Sequence, residues 1–255
     1  MSTSKHVFDQ SCDNRVGVGL GDAAVRSLCI RFLIDHYRLD AYVVPGGPEK
    51  YRKVWELVFG DRLISSKDMP AGAVVHRPTD KDYRMSQDAY CTFDPIFEEN
   101  GFMTVPKNYR IPAYSFVKCN PESDMVFIYP EEVSMANADF DSKFWCRAYD
   151  ELRQRNKRIF CMHGDNHRLR DFYSYAKFDR ECTPTVDGMI DAIRQCSFAL
   201  GASTGPTWFC MLTDIKQLVL DNPYHVEDYW YFSRCERFLE KRIVVLRGIS
   251  IGLRF

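Results

Sequence analysis

The sequence has no long hydrophobic run and no excess of charge of either sign. No apolar segment approaches the roughly eighteen residues of a membrane span, and the most hydrophobic stretch, Ala23–Ile34, is interrupted by Arg26 and Arg31. The first ten residues lack the apolar core of a signal peptide. Lys and Arg number 34 against 35 for Asp and Glu, so the chain lacks the basic excess of proteins that hold nucleic acid mainly by neutralising phosphates.

Closely spaced cysteine pairs are absent as well. The 10 cysteines are spread along the chain without a C-x-x-C pattern, which argues against a zinc ribbon or finger. Several lie inside apolar segments, where a thiol behaves as a small hydrophobic group: Cys29, Cys161, Cys196 and Cys210. We therefore expect buried, reduced cysteines and a cytoplasmic protein without a membrane span.

What the sequence does have is a regular alternation of strand-like and helix-like segments, which is typical of βαβ units and a parallel sheet. Strands are predicted at Ala41–Val44, Ala73–His76, Met125–Tyr129, Arg158–Met162, Phe198–Leu200 and Gln217–Leu220. Helices are predicted at Asp22–Tyr37, from Pro48 to a stop at Gly60, and at Asp141–Arg155, Asn166–Ala176, Thr185–Gln195 and Pro206–Leu212.

The 255 residues suit two domains of moderate size. The polar segment Lys118–Asp124 contains a proline and is the candidate linker. We predict an α/β protein of two Rossmann-like domains, residues 1–120 and 121–255, that face each other across a cleft. In open α/β sheets ligands bind beyond the carboxyl ends of the strands, so the loops that follow strands are the candidate sites.

The first candidate loop, Gly17–Asp22, opens the first predicted helix. Gly19 and Gly21 permit close approach of the backbone to a ligand. The spacing departs from the dinucleotide-binding fingerprint because Asp22 stands where a third glycine is needed. Asp22 is suited to accept a proton from a substrate hydroxyl as a general base. Equally, it is suited to cap the helix.

The second candidate loop, Gly201–Pro206, lies between a strand and a helix. Ser203, Thr204 and Gly205 are small, and backbone amides at such a junction can bind a diphosphate. The alternative is a tight turn in which a hydroxyl only caps the helix. Three consecutive small residues exceed what a cap requires, which favours phosphate binding.

Two further segments carry charged or imidazole side chains. Asp139 and Asp141 form a D-x-D pattern that can hold a divalent cation, although Asp141 is better explained as a helix cap, and Lys143 can balance phosphate charge. Histidines and an acid occur together in 163–167, but a short loop rarely supplies a complete ligand set, so no metal is expected there. His163 follows a predicted strand and is positioned to line a nucleotide pocket.

These pieces together resemble the heptosyltransferase-like family of glycosyltransferases, which have the two-domain GT-B architecture. Gly21-Asp22 before an apolar helix is similar to the family's glycine–aspartate loop, and Gly201–Trp208 is similar to its strand followed by a D-[ST]-G-P-x-H loop. Tyr129-Pro130 and Lys143–Trp145 resemble its strand-end proline and its basic-x-Trp helix start. Ser203 stands where the family has an acid, and Trp208 where it has a histidine.

The resemblance implies that Asp22 is the catalytic base and that Ser203, Thr204 and Gly205 bind the donor diphosphate. The predicted function is transfer of a sugar from a nucleotide-diphosphate sugar to an acceptor hydroxyl, with inversion and without a metal or other cofactor. The alternatives are a sugar-nucleotide epimerase or hydrolase and a catalytically inactive nucleotide-sugar-binding protein. The acceptor stays open: a saccharide, a protein, a small molecule or a modified nucleic-acid base.

Overall fold

The structure is a computed structural model that describes residues 4–11, 19–77, 112, 114–130, 141–164, 167–202, 204–221 and 243–247. At residues 22, 167, 221 and 243–247 it describes the backbone alone. The described residues form two compact units, one up to residue 112 and the other from residue 114 onward. None of the helices within these ranges is long and apolar enough to cross a membrane.

The first unit contains a parallel sheet of three strands within its described part. Its elements are β1 (His6–Asp9), α1 (Leu20–His36), β2 (Ala41–Val44), α2 (Arg52–Phe59) and β3 (Val74–His76), with 3-10 turns at Glu49–Tyr51, Gly60–Arg62 and Ser66–Asp68. β1 lies between β2 and β3 and pairs in parallel with both. The carboxyl ends of all three strands therefore lie at one edge of the sheet.

Helix α1 is more deeply buried than its sequence pattern indicates. The predicted apolar positions are buried, but so is every residue from Ala23 to Ile30, including Arg26 and Ser27. The part of α1 from Ala23 to Ile30 is thus buried on every face and belongs to the core, whereas Asp35 and His36 at its end are exposed. Arg26, which interrupts the apolar run in the sequence, is therefore an inward-facing charge.

The described part of the second unit contains a parallel sheet of six strands. Its elements are β4 (Met125–Tyr129), α3 (Ser142–Gln154), β5 (Arg158–Met162), a 3-10 turn at His167–Leu169, α4 (Arg170–Tyr175), β6 (Arg180–Cys182), α5 (Val186–Gln195), β7 (Phe198–Ala202), α6 (Gly205–Cys210), β8 (Lys216–Asp221) and β9 (Ile243–Arg247). The strand order is β6-β5-β4-β7-β8-β9, and every neighbouring pair is parallel. The predicted α/β class with two separate parallel sheets is confirmed.

The helices of this unit begin where their caps predict. Asp141 Oδ1 accepts a hydrogen bond from the Phe144 amide at 2.8 Å, and Thr185 Oγ1 accepts one from the Gly188 amide at 3.1 Å. Such caps satisfy amides that the helix itself leaves unpaired, and each contributes about 1 kcal/mol. The capping interpretation of Asp141 is thus confirmed.

Among the strands of the described residues, the sequence patterns missed three: β1, β6 and β9. β6 is three residues long and carries two charged side chains, Arg180 and Glu181, that are exposed at an edge of the sheet. β1 is four residues long and contains only two apolar residues. Segments as short as β1 and β6 carry little periodicity of their own, and pairing with neighbouring strands makes them extended.

The predicted burial of Cys29, Cys161, Cys196 and Cys210 is confirmed, because each is at most 1% exposed. Cys146, Cys182, Cys196 and Cys210 are free thiols. Burial raises the pKa of Cys182 to about 12 and also raises the pKa values of Cys196 and Cys210. These groups are therefore neutral thiols at physiological pH.

The polar segment predicted to be a linker is part of the second unit. The Asn120 amide donates to the Cys196 carbonyl at 3.2 Å. The Cys119 amide donates to Asp214 Oδ1 at 2.6 Å, and Lys118 Nζ lies 3.3 Å from Asp214 Oδ2. The carboxylate of Asp214 thus links the start of this segment to the turn before β8.

Replacing Asp214 with alanine should lower the free energy of unfolding by about 1–3 kcal/mol at neutral pH, because the Cys119 amide loses its acceptor. Burial opposes ionisation of Asp214, but the Cys119 and Lys118 donors hold its pKa below the ordinary value. A carboxyl whose pKa is lower in the folded state stabilises the fold above the unfolded pKa, and this contribution is lost as the pH falls through the folded pKa. The difference between wild type and variant should therefore shrink below about pH 4.

Urea unfolding at pH 7 and pH 3 measures this difference. Asp124→Ala is the matched control. Asp124 also pairs with a cation, since its Oδ1 lies 2.7 Å from Nη2 of Arg158, but both of these side chains are about half exposed. An exposed pair is expected to contribute at most about 1 kcal/mol. An Asp214→Ala effect of equal size at both pH values would contradict the assignment.

Candidate functional site

The strand order of the second sheet reverses between β4 and β7. From β4 the chain proceeds outward to β5 and β6, and then returns to β7 on the other side of β4 before proceeding to β8 and β9. The register places Tyr129, the last residue of β4, beside Gly201 of β7. Ligands of open parallel sheets bind at the point where the order reverses, beyond the carboxyl ends of the two strands. The loops after β4 and β7 are therefore the candidate site of this unit.

The loop after β7 contains two of the three residues predicted to bind a diphosphate. Thr204 is the N-cap residue of α6, and Gly205 is the first residue of that helix. The Thr204 amide donates to Thr207 Oγ1 at 3.4 Å, and Thr207 Oγ1 donates to the Ala202 carbonyl at 2.6 Å. Ser203, the third predicted residue, lies outside the described residues. The structure thus places Thr204 and Gly205 directly beyond β7.

Lys143 lies at the same edge of the sheet. It is the second residue of α3 and is exposed. Ser142, which precedes it, donates to the Arg168 carbonyl at 2.8 Å and so holds the start of α3 against the 3-10 turn that follows β5. An exposed lysine at the carboxyl edge can act as a point charge toward phosphate. Asp139 lies outside the described residues.

His163 follows β5 and is exposed. Its amide donates to the Cys182 carbonyl at 2.9 Å, and its ring lies edge-on to the ring of Tyr173 with the centroids 4.0 Å apart. β5 is the neighbour of β4, and adjacent strands are about 4.8 Å apart. His163 is therefore one strand away from the point where the order reverses.

The predicted general base belongs to the first unit. Asp22 is the third residue of α1, which begins at Leu20 and in which the Ala23 amide donates to the Gly19 carbonyl at 3.1 Å. Gly19 precedes the helix and Gly21 lies in its first turn, so the cap position is that of Gly19. Asp22 therefore lies in the first turn of α1 and not at the N-cap position. An acid in the first turn is favoured by the positive end of the helix dipole.

A group of buried polar residues at the carboxyl end of β1 was not singled out from the sequence. Asp9 and Gln10 are each 2% exposed and Arg26 is 3% exposed. Asp9 Oδ2 lies 3.0 Å from Nε of Arg77, and Asp9 Oδ1 accepts a hydrogen bond from the Ser11 hydroxyl at 2.6 Å. Arg26 donates to Gln10 Oε1 at 3.2 Å. Buried charge requires such partners, and no local sequence pattern marks residues that meet only in the fold.

The structure thus brings Lys143, His163, Thr204 and Gly205 to one edge of the second sheet, and places Gly19, Gly21 and Asp22 at the start of α1 in the first unit. Within the described ranges, no group of three or more His, Cys, Asp or Glu side chains is arranged to hold a metal ion.

No known protein-family model matches the chain, and no curated protein sequence matches it either. Solved structures do match. A family 9 glycosyltransferase from Veillonella parvula DSM 2008 aligns with a TM-score of 0.63 at 10% identity, over 97% of this chain and 88% of that chain. The E. coli heptosyltransferase WaaC, in a structure with ADP, aligns with a TM-score of 0.52 at 10% identity, over 96% of this chain and 93% of that chain.

A third match is the iron-containing dodecameric glycosyltransferase TibC from enterotoxigenic E. coli H10407. It aligns with a TM-score of 0.56 at 12% identity, over 86% of this chain and 58% of that chain. The chain therefore has the fold of heptosyltransferase-like glycosyltransferases, and the resemblance inferred from the sequence is confirmed at the level of the fold.

Proposed function

We propose that this chain is a glycosyltransferase that moves a sugar from a nucleotide-diphosphate sugar to an acceptor hydroxyl, with inversion at the anomeric carbon and without a metal ion. The observation that carries the proposal is the small polar loop Thr204-Gly205 at the strand-order reversal of a six-stranded parallel sheet. That point is where parallel α/β sheets bind nucleotides. The glycosyltransferase fold of the chain adds to this argument, although a fold alone does not determine a reaction.

The donor would bind to the second unit. Backbone amides of the loop after β7 would hold its diphosphate, Ser203 and Thr204 would contribute hydroxyls, and Lys143 would balance charge from the start of α3. His163 would lie beside the nucleoside. The choice of a nucleoside diphosphate sugar as donor is supported by two of the similar solved structures. WaaC was determined with ADP. TibC was determined in complex with ADP-D-beta-D-heptose and aligns with a TM-score of 0.55 at 12% identity.

The chemical step needs a base and a stabilised leaving group. Asp22 would remove the proton from the acceptor hydroxyl as the oxygen attacks the anomeric carbon. The bond from that carbon to the diphosphate oxygen breaks on the opposite face, which inverts the centre. The diphosphate leaves with additional negative charge, which Lys143 and the loop amides would stabilise. The base would contribute about a hundred- to ten-thousand-fold to the rate.

A panel of ADP-, GDP-, UDP- and CDP-sugars tests donor binding through the melting temperature, because a ligand that binds only the folded chain stabilises it. At least one donor should raise the melting temperature, and EDTA should leave that shift unchanged. A uniform absence of stabilisation across the panel would overturn the proposal.

Release of nucleoside diphosphate from the donor that binds then distinguishes the reaction classes. Release that requires a saccharide, a peptide, a small-molecule alcohol or a hydroxymethylated oligonucleotide identifies transfer and its acceptor class. Release together with free sugar in the absence of any acceptor indicates a hydrolase. Conversion of the donor into its epimer without release indicates an epimerase, and binding without any turnover indicates an inactive binding protein.

A further inference from the structure

Three polar side chains are buried directly beneath the loop after β7. Tyr129 and Thr207 are 0% exposed and Gln217 is 2% exposed. They come from three different elements, β4, α6 and β8. Placing polar groups in a core is unfavourable unless they are hydrogen-bonded, so their bonding pattern indicates what they do there.

The Thr207 hydroxyl connects the two ends of the loop. It donates to the carbonyl of Ala202, the last residue of β7, at 2.6 Å. The same oxygen accepts the amide of Thr204, the residue before α6, at 3.4 Å. One side chain therefore sets the separation between the end of the strand and the start of the helix.

Thr207 is itself held by side chains of the neighbouring strands β4 and β8. Gln217 Nε2 donates to the Thr207 carbonyl at 3.4 Å, and the Tyr129 hydroxyl donates to Gln217 Oε1 at 3.2 Å. The Tyr129 oxygen also lies 3.4 Å from Thr207 Oγ1. Burial raises the pKa of Tyr129 well above its ordinary value, so its hydroxyl keeps the proton that it donates. The three side chains form a continuous network that ties α6 to β4 and β8.

We infer that Thr207, held by Tyr129 and Gln217, is a positioning residue that preorganises the loop after β7 for the donor diphosphate. This inference rests on the proposed function. A loop that is already in its binding conformation avoids the free-energy cost of being ordered when the ligand arrives. The hydroxyl of Thr207 would thus affect diphosphate affinity without contacting the diphosphate.

Isothermal titration of the full chain with ADP, GDP, UDP and CDP tests the inference in the variants Thr207→Val and Thr207→Ser. Valine keeps the shape of threonine and removes the hydroxyl, whereas serine keeps the hydroxyl. Thr207→Val should lower the affinity for the nucleoside diphosphate that wild type binds by about three- to ten-fold. This is the fold-change that corresponds to the loss of one hydrogen bond. Thr207→Ser should bind that nucleoside diphosphate with an affinity within about two-fold of wild type, a smaller change than the one expected for Thr207→Val.

Thr213→Val is the matched control. Thr213 is 2% exposed and donates its hydroxyl to the Cys210 carbonyl at 2.7 Å, at the opposite end of α6. Removing the Thr213 hydroxyl should lower the melting temperature about as much as Thr207→Val does, but should leave the affinity for nucleoside diphosphate unchanged. Tyr129→Phe provides a milder variant, which keeps the ring and should weaken affinity in the same direction as Thr207→Val.

The outcomes separate this inference from the proposed function. If wild type binds none of the four diphosphates, the proposed function fails and the inference fails with it. If wild type binds one of them and Thr207→Val and Tyr129→Phe bind it equally well, the proposed function stands and the positioning role is wrong. Equal weakening by Thr207→Ser and Thr207→Val would show that the hydroxyl is not the cause, and would also overturn the role.

Discussion

Replacing Asp22 with asparagine should slow sugar transfer by about a hundred- to ten-thousand-fold and leave the affinity for nucleoside diphosphate unchanged. Asparagine has nearly the same shape as aspartate but cannot take the proton of the acceptor hydroxyl. Asp22 belongs to α1 in the first unit, whereas the residues proposed to hold the diphosphate belong to the second. The loss should therefore be in kcat, measured as acceptor-dependent release of nucleoside diphosphate, and not in donor binding measured by calorimetry.

The control for this variant lies on the same helix. Asp35 lies near the end of α1, pairs with Arg31 at 2.8 Å and has a side chain 37% exposed. Asp35→Asn changes charge by the same amount and should leave kcat close to that of wild type. Wild-type turnover in Asp22→Asn would exclude this carboxylate from the chemical step. A similar loss in both variants would indicate a general effect of charge on the helix.

Replacing Gly201 with alanine should lower the free energy of unfolding by about 1–3 kcal/mol or more, because the new methyl group has no room. A Cβ at this position would lie 1.8 Å from Cε2 and 2.0 Å from Cδ2 of Tyr129, whose side chain is fully buried. The two residues are partners on neighbouring strands, so neither can move away without disturbing the sheet. In a chain of this size each kcal/mol lowers the melting temperature by about 2–4 °C.

A double-mutant cycle tests whether the ring is the cause. Tyr129→Ala alone should also destabilise, by about 3–5 kcal/mol, because it leaves a cavity. In the double variant the methyl group at position 201 occupies part of that space, so the combined loss should be smaller than the sum of the two single losses. Additive losses would mean that Gly201 is required for a reason other than contact with Tyr129.

Much of the second unit could be predicted from the sequence because its signals are local. β4 and β5 have the predicted bounds, since each is a run of mainly apolar residues. α5 begins after Thr185 and ends at Gln195, as its cap and its apolar spacing indicate. The lysine at the start of α3 and the small residues before α6 could be recognised as candidate binding residues for the same reason: their neighbours in sequence define where a helix begins.

The order of strands and the partners of buried polar groups depend on contacts between residues far apart in the chain, which no local pattern records. In the sequence, nothing distinguishes Thr207 from any other threonine in a helix. It has Tyr129 and Gln217 as neighbours only because α6 packs against β4 and β8. Asp9 and Arg77 likewise meet only because β1 and β3 pair. Periodicity and capping therefore established the individual helices and most strands, whereas sheet pairing established which chemical groups share an edge, because that edge exists only after the strands have assembled.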